Sequence, residues 1–168
     1  MEDLENKPRV TIARNAAKKL LNEIGAINAP IILNDVVKHL KKGYDLTVIP
    51  WDFGNNTSGM QTSDGDSISI GYNSCHHPHR QRFTVAHEIG HFILGHTDAN
   101  YDYCDFNSSK PEEIEANQFA AELLMPLAIL TEDILTGVRE IPLLSKKYNV
   151  SEEVIWWRLM DCKLINKM

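Results

Sequence analysis

Apolar residues recur at helical spacing near the start of the chain, and this pattern predicts a first helix over residues 10–24. A second helix is predicted over residues 35–42, with Asn34 as its N-cap and Gly43 at its end. The run Leu-Thr-Val-Ile at residues 46–49 is typical of a strand. The first third of the chain is therefore predicted to form two helices and then a strand.

Polar and apolar residues alternate over residues 57–71, which is the pattern of strands with one buried face. The sequence Asp64-Gly65-Asp66 interrupts the alternation and is a turn signal. We therefore expect a hairpin here, and its second strand leads into the next helix.

The last part of the chain, about residues 128–168, predicts a short helix, a turn and a second helix capped by Ser151, which resembles a helix-turn-helix. A DNA-reading helix would place polar, base-contacting residues near its start. Here the second helix begins with Glu152 and Glu153, which phosphates would repel. We therefore expect these helices to pack on the rest of the fold, with Trp156 and Trp157 as core or interface anchors.

Within an apolar, helix-compatible run at residues 83–96 lies the motif His-Glu-x-x-His. His87 and His91 are one helical turn apart, so both imidazoles can reach one tetrahedral metal ion. Glu88 is close enough to hold and deprotonate a water molecule, as the general base of a zinc peptidase does. The alternative is a buried helix whose histidines bond to backbone carbonyls.

A second helix with acidic residues is predicted over residues 109–126. Ser109 and Glu112 have the spacing of a capping box, Pro111 suits a first helical turn, and Pro126 ends the pattern.

A catalytic zinc site needs a third protein ligand, and this second helix offers four carboxylates. They are Glu112, Glu113, Glu115 and Glu122. The first two lie in the first turn, where the helix dipole already favours negative charge. Glu115 and Glu122 lie among apolar residues and need a partner. We prefer Glu115 as the third ligand, and the residues alone leave Glu122 open because it lies two turns on, on nearly the same face.

Residues 85–96 and 115–126 together resemble the ImmA/IrrE family of metallo-endopeptidases. The resemblance implies an α+β, zincin-like fold in which a small antiparallel or mixed sheet packs against the His-Glu-x-x-His helix, with additional C-terminal helices. It implies that Zn²⁺ is bound by His87, His91 and Glu115, and that Glu88 is the general base. It also implies a protein substrate, commonly a helix-turn-helix transcriptional repressor encoded on a prophage or mobile element.

In thermolysin-like peptidases an edge strand beside the zinc site pairs with the substrate backbone. The second hairpin strand is the candidate here, which predicts substrate contacts at Ser67, Ile68, Ser69 and Ile70. The alternative is an ordinary structural hairpin. A further side chain could stabilise the oxyanion, and the sequence does not choose among Tyr72, Tyr101, Tyr103 and His96.

Three further histidines, His76, His77 and His79, precede the motif helix around Pro78. Their spacing does not place them on one face of an element, so we expect structural or solvent-facing roles. His96 follows Gly95 and is predicted to cap the C-terminal end of the motif helix.

At 168 residues the chain is most naturally a single domain, and its 43% hydrophobic and 24% charged residues are ordinary for a globular protein. A net charge of −6 argues against general binding to nucleic acid. The cysteines, Cys75, Cys104 and Cys162, form no disulfide framework. With no signal peptide or membrane span apparent, a cytoplasmic location is predicted.

Two other functions stay open. One is a DNA-binding regulator with a structural zinc, and another is a protein-interaction module with an inactive site. A deformylase also uses His-Glu-x-x-His, but it takes a cysteine ligand whose surroundings are missing here.

Overall fold

The computed structural model describes residues 7–64, 66–96 and 108–167. Within these ranges the chain forms helices and one small sheet. The elements are α1 (Val10–Glu23), α2 (Leu33–Leu40), β1 (Asp45–Trp51), β2 (Gly59–Asp64), β3 (Ser67–Asn73), α3 (Pro78–Leu94), α4 (Pro111–Leu124), α5 (Leu127–Leu135), α6 (Ile141–Tyr148) and α7 (Glu152–Asp161), followed by a 3₁₀ turn at Ile165–Lys167. This arrangement confirms the predicted α+β class with a small sheet beside the motif helix.

The sheet is mixed and has the strand order β1-β3-β2. β2 and β3 form the predicted antiparallel hairpin, in which Gly59 lies opposite Tyr72. β1 pairs with β3 in parallel, with Leu46 opposite Ile68. As a result β3 is the central strand, and the two edges belong to β1 and β2.

The prediction that Ser67, Ile68, Ser69 and Ile70 form a substrate-binding edge is therefore wrong. Both sides of β3 are occupied by neighbouring strands. Ile68 and Ile70 are buried in the hydrophobic core. The hairpin was readable from local pattern and turn residues, but the parallel pairing of β1 is a long-range contact that leaves no local signal.

The core lies between the sheet, α3, α4 and α1, and α3 packs directly against α4. A glycine makes this close approach possible. A Cβ atom on Gly90, in the middle of the His-Glu-x-x-His segment, would lie 3.0 Å from Phe119 Cδ1. The two helices that carry the predicted metal ligands are thereby held side by side.

Several predicted boundaries shift. α2 begins at Leu33 after the N-cap Ile32, so Asn34 lies inside the helix and does not cap it. α4 has Lys110 as its N-cap with no side-chain hydrogen bond, so the predicted capping box of Ser109 does not form. Pro111 does occupy the first turn of α4. The strand prediction at residues 46–49 is confirmed within β1.

The C-terminal helices pack on the core as expected. Arg158 of α7 is fully buried and forms an ion pair with Glu122 of α4. Ser151 caps α7 by accepting from the Val154 amide at 3.2 Å. Trp156 is not a core anchor, since it is 50% exposed. Among the residues described, no helix has the length and apolar character needed to cross a membrane.

Candidate metal centre and active site

His87 and His91 project from one face of α3 and their Nε2 atoms lie 2.9 Å apart. The carboxylate of Glu113, from the first turns of α4, closes the group. Its Oε2 lies 3.2 Å from His87 Nε2, and its Oε1 lies 3.2 Å from His91 Nε2. All three residues are buried. These four atoms surround one point between α3 and α4.

The donor set and its dimensions fit a divalent metal ion. With zinc–nitrogen bonds of about 2.0–2.1 Å, two ligands of a tetrahedral ion are separated by about 3.3 Å. The observed separations of 2.9 and 3.2 Å are close to that value. Two imidazoles and one carboxylate are also a ligand set that leaves a fourth position open.

The structure places Glu113, and not the predicted Glu115, beside the two histidines. Two residues along a helix correspond to a rotation of about 200°, so Glu113 and Glu115 point in nearly opposite directions. Burial alone misled the sequence prediction, because both carboxylates are buried. The usable signal was the i, i+4 pair Glu113 and Asn117, which shares one face of α4.

Asn117 orients the first histidine. Its Oδ1 lies 2.9 Å from His87 Nδ1. An amide oxygen can only accept, so His87 carries its hydrogen on Nδ1 and its Nε2 lone pair is directed at Glu113 and His91. A neutral imidazole in this tautomer is the form that binds a metal through Nε2.

A hydrogen-bonded chain orients the second histidine. His91 Nδ1 lies 2.8 Å from His96 Nδ1, and His96 Nε2 lies 3.1 Å from Glu115 Oε2. A carboxylate accepts, so His96 donates from Nε2 and accepts at Nδ1, and His91 then donates from Nδ1. His91 thereby presents its Nε2 lone pair to the same point as His87 does. His96 acts here through its side chain and not as the predicted helix cap.

Glu115 is held by Arg9, immediately before α1. The backbone amide of Arg9 donates to Oε1 at 2.8 Å and its Nη2 donates to Oε2 at 2.8 Å. Burial alone would raise the pKa of Glu115, but the hydrogen bonds from Arg9 and His96 outweigh it and lower that pKa to about 2. Burial lowers the pKa of His96, which favours its neutral ring. Glu115 is therefore an anion that does not face the metal position but accepts a hydrogen bond from His96, which in turn contacts His91.

Glu88 lies beside the edge strand β2. A Cβ on Gly59, the first residue of β2, would be 3.2 Å from Glu88 Oε1 and 2.4 Å from Thr84 Cγ2. Only a glycine lets the strand approach α3 so closely. Glu88 itself is buried, and it follows directly the residue that carries one of the converging imidazoles.

The remaining sequence candidates lie elsewhere or outside the described residues. Tyr72 of β3 lines a cavity together with Arg82 and Val85 of α3. These two α3 residues lie on a face of the helix that points away from His87. Tyr101, Tyr103 and Cys104 fall outside the described residues.

The other unassigned side chains have structural contacts. Glu122 pairs with Arg158 and accepts from the Leu127 amide at 3.2 Å. His77 caps α3 by accepting from the His79 amide at 3.2 Å. His76 Nε2 lies 3.4 Å from Asn73 Nδ2.

The chain is similar to several known proteins. Immunity region protein 2 of Bacillus phage phi105 is 29% identical over 127 residues, which are 73% of this chain and 74% of that protein. A solved structure of a Mycobacterium tuberculosis transcriptional regulator superposes with a TM-score of 0.64 at 16% identity, covering 89% of this chain. The chain spans 46% of that regulator, and the likeness shows a shared fold. The model of the IrrE N-terminal-like domain, peptidase family M78, matches residues 42–160, and the chain belongs to this family.

Proposed function

We propose that the protein is a zinc-dependent endopeptidase in which His87, His91 and Glu113 hold the metal. The observation that carries this proposal is the convergence of two Nε2 atoms and one carboxylate, with neighbours that fix both imidazoles in the metal-binding tautomer. A helix with purely structural histidines does not require that arrangement. Membership of a peptidase family points to the same reaction.

Zinc, when bound, supplies Lewis acidity that polarises a peptide carbonyl and makes water more acidic. The proton transfers are carried out by a residue of the chain. The Glu88 carboxylate takes a proton from the attacking water and passes it to the amine that leaves when the peptide bond breaks. Burial beside β2 shields this carboxylate from bulk water.

The edge strand β2 is the natural place for the substrate backbone. Among the described residues β2 pairs only with β3, so its other side is a sheet edge, and its first residue, Gly59, lies beside Glu88. An extended peptide that adds to this edge would form main-chain hydrogen bonds and bring a carbonyl toward the metal centre. We place the substrate here in preference to residues 67–70.

We further propose that the substrate is a helix-turn-helix transcriptional repressor, whose cleavage relieves repression. The support is contextual: one relative is a phage immunity region protein, and one structural neighbour is a transcriptional regulator. Because the repressor would bind the DNA, this chain needs no nucleic-acid interface of its own. That agrees with its net charge of −6 and with the packing role of α7.

The test is to mix the zinc-loaded full chain with a repressor encoded beside its gene and to identify products by mass spectrometry. Cleavage at one defined peptide bond, lost in Glu88→Gln and on chelation, is the expected result. Glu112→Gln is the matched control, because Glu112 is exposed in the first turn of α4. An intact repressor together with a zinc-loaded protein that cuts no unstructured protein, such as casein, would contradict the peptidase assignment. An intact repressor with casein cleavage would contradict only the choice of substrate.

A further inference from the structure

A cavity of about 460 Å³ lies against α3 away from the metal centre. Its walls come from α2, from β1 and β3, and from the first turns of α3. The lining residues on α3 include Arg82 and Val85, which lie about 120–180° around the helix from His87 and His91. The cavity is therefore separate from the proposed catalytic site.

The charges around this cavity are all of one sign. Arg82 and Lys41 line it, and none of the described residues that line it is acidic, in a chain that contains 23 Asp and Glu. Arg82 is half-buried, and its Nη2 donates to the backbone carbonyl of Ile31. Its Nε is buried without a hydrogen-bond partner, and no carboxylate of the described residues pairs with the guanidinium. Burial lowers the pKa of Arg82 to about 10.

A half-buried cation without a counter-ion is costly, and natural proteins normally pair such a group. Lys41 adds to the positive potential, since it is exposed at the cavity and forms no ion pair with any residue that the structure describes. An anion in the cavity would compensate charges that the chain leaves uncompensated.

The other residues that line the cavity indicate the chemical character of the non-anionic part of a ligand. Apolar side chains form one part of the wall, and Tyr72 adds an aromatic ring. The apolar members are Leu33, Val37, Val48 and Val85. Asn34 and Asn149 are exposed amides at the rim. A volume of about 460 Å³ is within the usual range for small-molecule sites.

We propose that this cavity binds a small organic anion, a phosphate or carboxylate group attached to an apolar or aromatic body. Arg82 and Lys41 take the anionic group, and the body lies against the valine and tyrosine side chains. The proposal is independent of the peptidase assignment, because no residue of the cavity belongs to the metal centre.

The experiment is an NMR titration of the ¹⁵N-labelled full chain with three probes. Adenosine monophosphate carries a phosphate, 3-phenylpropionate carries a carboxylate, and adenosine has an aromatic body without an anion. We expect saturable shifts of the Arg82 side chain and of the Val85 and Tyr72 amides with at least one anionic probe, and none with adenosine. The tighter of the two anionic probes identifies the kind of anion.

Lys41→Glu is the informative variant, and its neighbour Lys42→Glu is the matched control. Both lysines are exposed, but only Lys41 lines the cavity. Reversing a contacting charge is expected to weaken binding about tenfold, the equivalent of about 1.4 kcal/mol. Lys42→Glu should leave binding unchanged.

The proposal is overturned if neither anionic probe gives saturable shifts at these positions, or if both lysine variants weaken binding equally. Glu113→Ala provides a further check, because a cavity separate from the metal centre should bind the probe equally well in that variant. A Glu113→Ala variant that loses probe binding while staying folded would mean that the anion binds at the metal centre instead.

Discussion

His91 Nδ1 and His96 Nδ1 lie 2.8 Å apart, so one ring must donate a hydrogen to the other. The Glu115 carboxylate, 3.1 Å from the far nitrogen of His96, decides the direction. His96 donates to Glu115, and His91 donates to His96. The buried Glu115 carboxylate, which is linked to His91 through two successive hydrogen bonds, thus determines which nitrogen of His91 is available to a metal.

Replacing Glu115 by glutamine should weaken zinc binding about tenfold without abolishing it, because partners that orient metal ligands typically contribute ten- to a hundredfold in affinity. The measurement is competition with a chromophoric chelator. Glu112→Gln changes the same charge at an exposed position of the same helix and should have no effect. Equal zinc affinities for wild type and Glu115→Gln would show that the hydrogen bonds from His91 through His96 to Glu115 do not orient His91.

Gly59→Ala should reduce both stability and peptidase activity. The added Cβ would lie 2.4 Å from Thr84 Cγ2, so β2 must move away from α3 and from Glu88. We expect a loss of about 1–3 kcal/mol in the free energy of unfolding, as is typical of overpacked sites. Urea denaturation measures it. Gly43→Ala is the control, since no described atom beyond its two chain neighbours lies within 4 Å of its added Cβ, and a similar loss there would refute the close-approach explanation.

Arg158→Met should destabilise the fold by about 3–5 kcal/mol, because it leaves Glu122 as a buried charge without its partner. The double variant Glu122→Leu/Arg158→Met removes both charges and should recover much of that loss. Chemical denaturation of both variants makes the comparison. Lys38→Met, which removes an exposed partner of Asp35 at 3.9 Å, should change stability by less than about 0.5 kcal/mol. A double variant no more stable than Arg158→Met would contradict the ion-pair explanation.

The sequence predicted the parts of the fold that depend on local pattern. The His-Glu-x-x-His helix, the hairpin and the Ser151 cap follow from spacing, turn residues and capping chemistry within short segments. The central position of β3 depends on the parallel pairing of β1 with β3. The local sequence of the hairpin does not indicate this long-range pairing.

The choice between Glu113 and Glu115 likewise depends on contacts with distant parts of the chain. Glu113 and Glu115 are both buried carboxylates in the same helix, and what separates them is the neighbour each one faces. Glu115 faces Arg9, more than a hundred residues earlier in the chain, whereas Glu113 faces the two histidines of α3. From the sequence alone the helix dipole accounts for an acidic residue at position 113, and the more specific role of Glu113 follows only from the histidines that it faces.

The most direct test of the account is the metal content of purified wild type, Glu113→Ala and Glu115→Gln, measured by native mass spectrometry after zinc reconstitution. We expect one zinc per chain in wild type, one weakly held zinc in Glu115→Gln, and none in Glu113→Ala. Circular dichroism spectra like that of wild type would show that both variants are folded. A Glu113→Ala protein that binds zinc like wild type, while Glu115→Gln has lost it, would contradict the assignment of the third ligand. A wild-type chain without zinc would contradict the metal centre itself.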